Sequence, residues 1–152
     1  MRTLPPWGAA SMERMWHEEW LGLPWSGTPV PPESFNCGEF VRYVYKRDLG
    51  HDCLPVPVPD ARKLKDCVRA MKPDYFGLVP AELPLQDRDA VFMARRHMMD
   101  HCGLLVLLPG GQQGILHCSQ QGGVQLSTFL EMRMQGYTSF SFWRSPKAVQ
   151  HD

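Results

Sequence analysis

Three residues have the types and settings that nucleophilic chemistry needs. Cys37 follows Asn36, a residue suited to cap a helix N-terminus, and opens a run in which Cys37, Phe40, Val41 and Val44 recur at helical spacing. A cysteine at a helix start meets unpaired backbone N–H groups and the positive end of the helix dipole. Both favour the thiolate, which is the nucleophilic form. The competing reading of the same residue is a small apolar side chain on a buried helix face.

His101 opens an apolar, strand-like segment, and His117 stands an even number of residues later, with Pro109-Gly110-Gly111 between them. A hairpin centred near Pro109 sets the two side by side, and strand alternation puts both imidazoles on one face. Cys102 and Cys118 then point to the other face, into the core. A thiol brought against such a pair supplies a nucleophile, a base and a group that orients the base. Two unrelated histidines on a sheet surface are the alternative. His17, His51, His97 and His151 have no comparable setting and read as solvated.

Metal binding is the other use for this set. Cys37, Cys53, Cys67, Cys102 and Cys118 with His97, His101 and His117 are numerous enough for a zinc site, but no Cys-x-x-Cys or His-Glu-x-x-His occurs. The adjacent pairs His101-Cys102 and His117-Cys118 aim their members oppositely on strands. No metal and no cofactor are expected. The five cysteines are odd in number and lack framework spacing, which argues for reduced thiols.

The elements that must position these groups follow from periodicity. Residues 10–21 read as a helix with Ser11 as cap and Met12, Trp16 and Trp20 on one face. A Pro/Gly/Ser-rich loop runs from Gly22 to Asn36. The helix beginning near Cys37 has Glu39 placed as a capping-box partner and Gly50 as its stop. Leu54–Pro59 is too proline-rich for helix or central strand. Asp60 caps a third helix with Ala61, Leu64, Val68 and Met71 on one face, and residues 72–88 form a long loop. Strands follow at Ala90–Ala94, Cys102–Leu108, Gly114–Ser119 and Val124–Leu126, then a helical turn over 128–135 and a last strand at Tyr137–Arg144 with Phe140 and Phe142 on one face. Helices first and an antiparallel meander second make an α+β domain.

Bulk properties bound the rest. The 152 residues fit a single domain, with a core over about 11–144 and a tail at 145–152. Sixteen basic residues balance sixteen acidic ones, so no charge field points to nucleic acid or an anionic membrane. No apolar run reaches membrane-spanning length, and the N-terminus lacks a signal-type hydrophobic stretch. Synthesis in the cytoplasm without a signal peptide is expected.

Taken together, these segments resemble the NlpC family of cell-wall peptidases. That family's nucleophile segment reads Asp-Cys-Ser-Gly-Phe-Val, and Asn36-Cys37-Gly38-Glu39-Phe40-Val41 is similar. Its upstream Leu-Gly-x-Pro-Tyr resembles Leu21-Gly22-Leu23-Pro24-Trp25, and its Gly-Asp-Leu-Val-Phe resembles Arg88-Asp89-Ala90-Val91-Phe92. Its His-Val-Gly-Ile and Ile-His-Ala resemble His101-Cys102-Gly103-Leu104 and Leu116-His117-Cys118. The likeness spans roughly residues 20–144. It implies a papain-like fold, with a helix carrying the cysteine against an antiparallel sheet carrying both histidines. It also implies hydrolysis of peptide-stem bonds in bacterial peptidoglycan, with Cys37 as nucleophile, His101 as base and His117 as its orienting partner. Trp25 stands where the family has a tyrosine that assists the oxyanion. Asn36 and Gly38 replace the family's Asp and Ser beside the nucleophile, which removes a negative charge and a hydroxyl from the substrate-binding segment.

Members of the family without a signal peptide resemble tail-tip components of long-tailed phages, so a virion setting with other tail-tip proteins as partners is implied. Two alternatives share the fold: a non-catalytic structural module of the tail tip, and a papain-like acyltransferase with a different acyl donor.

Overall fold

The computed structural model describes residues 14–54 and 62–148. Helix α1, Cys37–Leu49, forms where its local signals place it. The Asn36 side chain accepts the Glu39 N–H at 2.8 Å, and Gly50 ends the helix in the left-handed region at φ 65°. Only half of the expected capping box exists, because the Glu39 carboxylate turns to the Arg42 guanidinium instead. The buried stripe Cys37, Phe40, Val41, Val44 and Tyr45 packs on the sheet.

That sheet has six strands: β1 Val79–Pro80, β2 Ala90–Arg95, β3 Met98–Leu107, β4 Gln113–Ser119, β5 Gly123–Ser127 and β6 Ser139–Arg144. Their spatial order is β1-β6-β2-β3-β4-β5, and every named pairing is antiparallel. Strands β2 to β5 form the expected meander. The last strand does not extend it but returns to pair with β2, with Val91 opposite Phe142. The cause lies on the sheet face away from α1. There helix α3, Phe129–Met134, capped reciprocally by Thr128 and Glu131, crosses a second cluster of Val91, Met93, Leu105, Ile115, Met132 and Tyr137, against which Phe140 and Phe142 pack. On the α1 face, Phe92, Leu104, Val106 and Leu116 meet Phe40, Val41 and Val44. A domain with helices and an antiparallel sheet between two apolar layers results, as the α+β reading requires.

The N-terminal expectation needs correction. Ser11, Met12, Asp60 and Ala61 lie outside the described residues. From residue 14 onward there is no α-helix before α1, only a 3-10 turn at Glu18–Trp20. Trp20 turns inward, 3% exposed, edge-on to Phe40 and Tyr43. The chain then lies along β5: Gly22 N–H donates to Val124 O, and Val124 N–H donates to Leu23 O, both at 2.9 Å. The amides of Glu18, Trp20 and Leu21 donate three residues back, to Met15, His17 and Glu18, which is 3-10 rather than α-helical bonding.

Helix α2 spans Leu64–Ala70, and Leu64 is exposed rather than buried. The stretch 72–88 is not a plain loop. A 3-10 turn at Pro73–Phe76 buries Phe76, and β1 adds to the edge of β6. His17 and His51 are buried, not solvated. The two ring nitrogens of His51 sit 2.8 Å from Ser145 Oγ and 2.7 Å from Phe76 O, so it ties the end of β6 to the 3-10 turn. No helix among the described residues is long and apolar enough to cross a membrane.

Candidate active site

Two short backbone pairings deliver the cleft wall and the thiol together. Ser26 N–H donates to Phe35 O at 2.9 Å and Phe35 N–H to Pro24 O at 3.0 Å, so Trp25 lies beside the segment that runs into Asn36 and Cys37. The first intrahelical bond of α1 runs from Phe40 N–H to Asn36 O. The Glu39 amide is taken by the cap, which leaves the Cys37 and Gly38 amides as first-turn donors without intrahelical acceptors. Trp25, Asn36, Cys37, His101 and Tyr137 line one cleft of about 250 Å³. Gly38 is not part of its wall, and the hydrogen of its Cα faces the Phe76 ring. A larger cavity, about 510 Å³, lies elsewhere, beside Asp89 and Arg144. Its guanidinium is already held by both Asp89 oxygens and by the Glu82 and Pro84 carbonyls, so it offers no comparable chemistry.

The histidines converge, though by a different register from the one expected. The turn at Pro109–Gly111 is closed by Leu108 N–H to Gln112 O, and β3 pairs with β4 as Leu104 opposite Leu116. Continued by one residue, that register sets Gly103 across from His117, so the imidazoles meet diagonally rather than directly. Gly103 makes this possible. A Cβ there would stand 2.7 Å from Leu116 O and 2.9 Å from His117 Cβ. A bulge helps from the other side: Met93 pairs with His101 but Ala94 with Met99, which leaves Asp100 as the extra residue immediately before His101.

The resulting geometry is a chain of contacts. His101 Nε2 lies 2.8 Å from His117 Nδ1, with the rings perpendicular and their centroids 5.0 Å apart. His117 Nε2 lies 2.9 Å from Ser127 Oγ. Since Nε2 of His101 is taken, its Nδ1 is the nitrogen left for the thiol, and the imidazole shares the cleft with Cys37. Tyr137 stacks on His101 at 5.6 Å, and the Arg95 guanidinium lies over the Tyr137 ring and donates to its hydroxyl at 3.0 Å.

The electrostatics separate the thiols. A hydrogen bond from the Cys102 thiol holds Cys37 well below the usual thiol range. Burial opposes this, and the hydrogen bond and charge of His101 add to it. Cys102, itself fully buried with its sulfur 3.6 Å from Cys37 O, is pushed well up by burial and by the neighbouring sulfur. Burial likewise raises Cys118 to about 12, with its thiol donating to Phe35 O. Burial, then the charge of His101, lowers His117 to about 3, so it stays neutral. Burial raises Asp100 as well, against the charge of Arg95. The arrangement is therefore one acidified thiol, one imidazole able to take its proton, and a neutral imidazole behind it. Among the described residues no three His, Cys, Asp or Glu side chains converge as metal ligands.

No protein-family model matches the sequence. The structure is similar to the NlpC/p60 domain of the peptidoglycan hydrolase SagA, with a TM-score of 0.51 and 18% identity over 83% of this chain and 91% of that domain. The fold is papain-like, of the NlpC type. In sequence, 78 residues are 33% identical to part of the transcription termination factor FttA of Methanocaldococcus jannaschii. That match covers 49% of this chain and 12% of the archaeal protein, so this chain spans a small part of that relative's length.

Cys37, His101 and His117 are thus brought together, and Trp25 and Asn36 stand at the same cleft. Ser127, Tyr137, Arg95 and Asp100 escaped the sequence reading. The expected strand stops at Leu126, one residue short of β5, which carries Ser127 at its end. Tyr137 lies just before β6, and nothing in its neighbourhood in the chain links it to His101.

Proposed function

We propose that the protein is a cysteine hydrolase that cleaves peptide-stem bonds of bacterial peptidoglycan, in the phage tail-tip setting that the resemblance implies. The observation that carries the reading is the placing of Cys37 and His101 in one cleft, with His117 bonded behind His101, on a papain-like fold. His101 takes the Cys37 proton at Nδ1. The thiolate attacks the amide carbonyl carbon, and the oxyanion faces the Cys37 amide and the Trp25 side of the cleft. His101 returns the proton to the leaving amine as the C–N bond breaks, leaving a thioester on Cys37. Water, deprotonated by His101, attacks the thioester, releases the acid product and restores the thiol.

The cleft wall itself is polar. Beside Cys37 it carries Arg95, Asp100, Gln120, Gln121 and Gln135, which suits a hydrophilic peptide rather than a lipid acyl chain and favours hydrolysis of a peptide over lipid acyl transfer.

The test is mass spectrometry of muropeptides from several wall chemotypes after incubation with the protein. Cleavage should give fragment pairs whose summed mass exceeds the substrate by one water. Cys37→Ala and His101→Ala should give none, with unchanged circular dichroism. Full cleavage by Cys37→Ala would refute the reading. No cleavage by wild type on any wall, with normal folding, would favour the structural module. Products joined to an added amine rather than to water would favour the acyltransferase.

A further inference from the structure

Ser127 ends β5 with 6% of its surface exposed, and its hydroxyl meets the far nitrogen of a histidine that has no exposed surface at all. His117 thus has both ring nitrogens engaged, at 2.8 Å by His101 and at 2.9 Å by Ser127. A neutral imidazole carries one N–H, so one nitrogen donates and the other accepts. Which does which decides whether His101 can work. When His101 holds the thiol proton, both of its nitrogens are protonated, and Nε2–H needs a lone pair in front of it. Only the Nε2–H tautomer of His117 presents that lone pair, at Nδ1. The opposite tautomer would set N–H against N–H across 2.8 Å. Register puts all three groups on one sheet face: Ser127 lies opposite Ile115, two residues from His117 along β4, as His101 lies two residues from Gly103 along β3.

We propose that Ser127 is a positioning residue, whose hydroxyl oxygen accepts the His117 Nε2–H, fixes that tautomer, and so keeps Nδ1 as the acceptor for protonated His101. The relay becomes Cys37–His101–His117–Ser127, with the last two groups never exchanging a proton with substrate. The proposal rests on the hydrolase reading for its purpose, but its test does not need a substrate.

With the full chain labelled at histidine with 15N, long-range proton–nitrogen correlation spectra read the tautomer of each ring directly. Wild type should show His117 protonated at Nε2 and bare at Nδ1. Ser127→Ala should mix the two tautomers and lower the rate of Cys37 alkylation by iodoacetamide at fixed neutral pH about three- to tenfold, the size of one lost hydrogen bond. Ser127→Thr, which restores the hydroxyl, should recover both readouts. If wild-type His117 carries its proton on Nδ1, the proposal is overturned without any variant, so a Ser127→Ala protein that failed to fold would not shield it. An unchanged tautomer and alkylation rate in folded Ser127→Ala would overturn it equally. If the tautomer and alkylation results hold while no wall is cleaved, Ser127 keeps its role and the hydrolase reading alone fails.

Discussion

A thiolate at Cys37 has lost most of its water, since the residue is 9% exposed, and it exists only because neighbours replace that water. Three do so: the start of α1, the His101 imidazole and the Cys102 thiol. The last is unusual in being an uncharged donor whose own ionisation is suppressed by burial and by the neighbouring sulfur. Cys102→Ala removes that donor and little volume. The pH midpoint of Cys37 alkylation should then rise by about one unit, the equivalent of a hydrogen bond to a charged group. The sign follows from the form being stabilised: losing a donor to the thiolate raises the pKa, so the reactive form appears at higher pH. Cys102→Ser keeps a hydroxyl donor and should stay close to wild type. Equal midpoints for wild type and Cys102→Ala would show that His101 and the helix end suffice.

Strand pairing sets the geometry that the single residues cannot. His101 and His117 approach because β3 carries no side chain at the one position between them, and because the bulge at Asp100 falls next to His101. Gly103→Ala would drive a methyl group into Leu116 O, the Ile115 side chain and His117 Cβ. Backbone is the first of these, so the strands themselves must part. We expect a loss of about 1–3 kcal/mol in urea unfolding, typical of overpacking, and a fall in Cys37 alkylation beyond what the stability loss explains. A stable Gly103→Ala protein with wild-type thiol reactivity would show that the histidine pair does not depend on the close approach of β3 and β4.

At the scale of the whole molecule, one ion pair holds the far end of the sheet to the loop before it. Arg144, at the end of β6, contacts both oxygens of Asp89 at 2.7 and 2.8 Å, and Asp89 is 1% exposed. The same guanidinium reaches the carbonyls of Glu82 and Pro84, so residues 82–89 and β6 are fastened through a single side chain. Arg144→Met would leave the Asp89 carboxylate buried and uncompensated, at a cost of about 3–5 kcal/mol in chemical denaturation. Adding Asp89→Asn should return part of that loss by removing the stranded charge. A fully additive double variant would mean that the two groups do not interact.

Local chemistry along the chain was enough for α1. Asn36, Cys37 and Gly50 fix its start, its reactive residue and its stop within a few bonds of each other, and alternation correctly sent Cys102 and Cys118 to the buried α1 face. The two histidines could be paired from sequence because an even separation and a Pro-Gly-Gly turn are both short-range signals. Their register could not, since moving the turn by one residue alters every partner across it, and packing against both faces of the sheet chooses among the options. The same holds for β6, whose place beside β2 depends on Phe140 and Phe142 meeting α3 residues far off in the chain. Burial of His51 was equally invisible, because its partners, Phe76 O and Ser145 Oγ, come from distant segments. Ser127 and Tyr137 join the site for that reason too: sequence supplies side chains with the right chemistry, and only the folded sheet brings a hydroxyl to His117 and a ring onto His101.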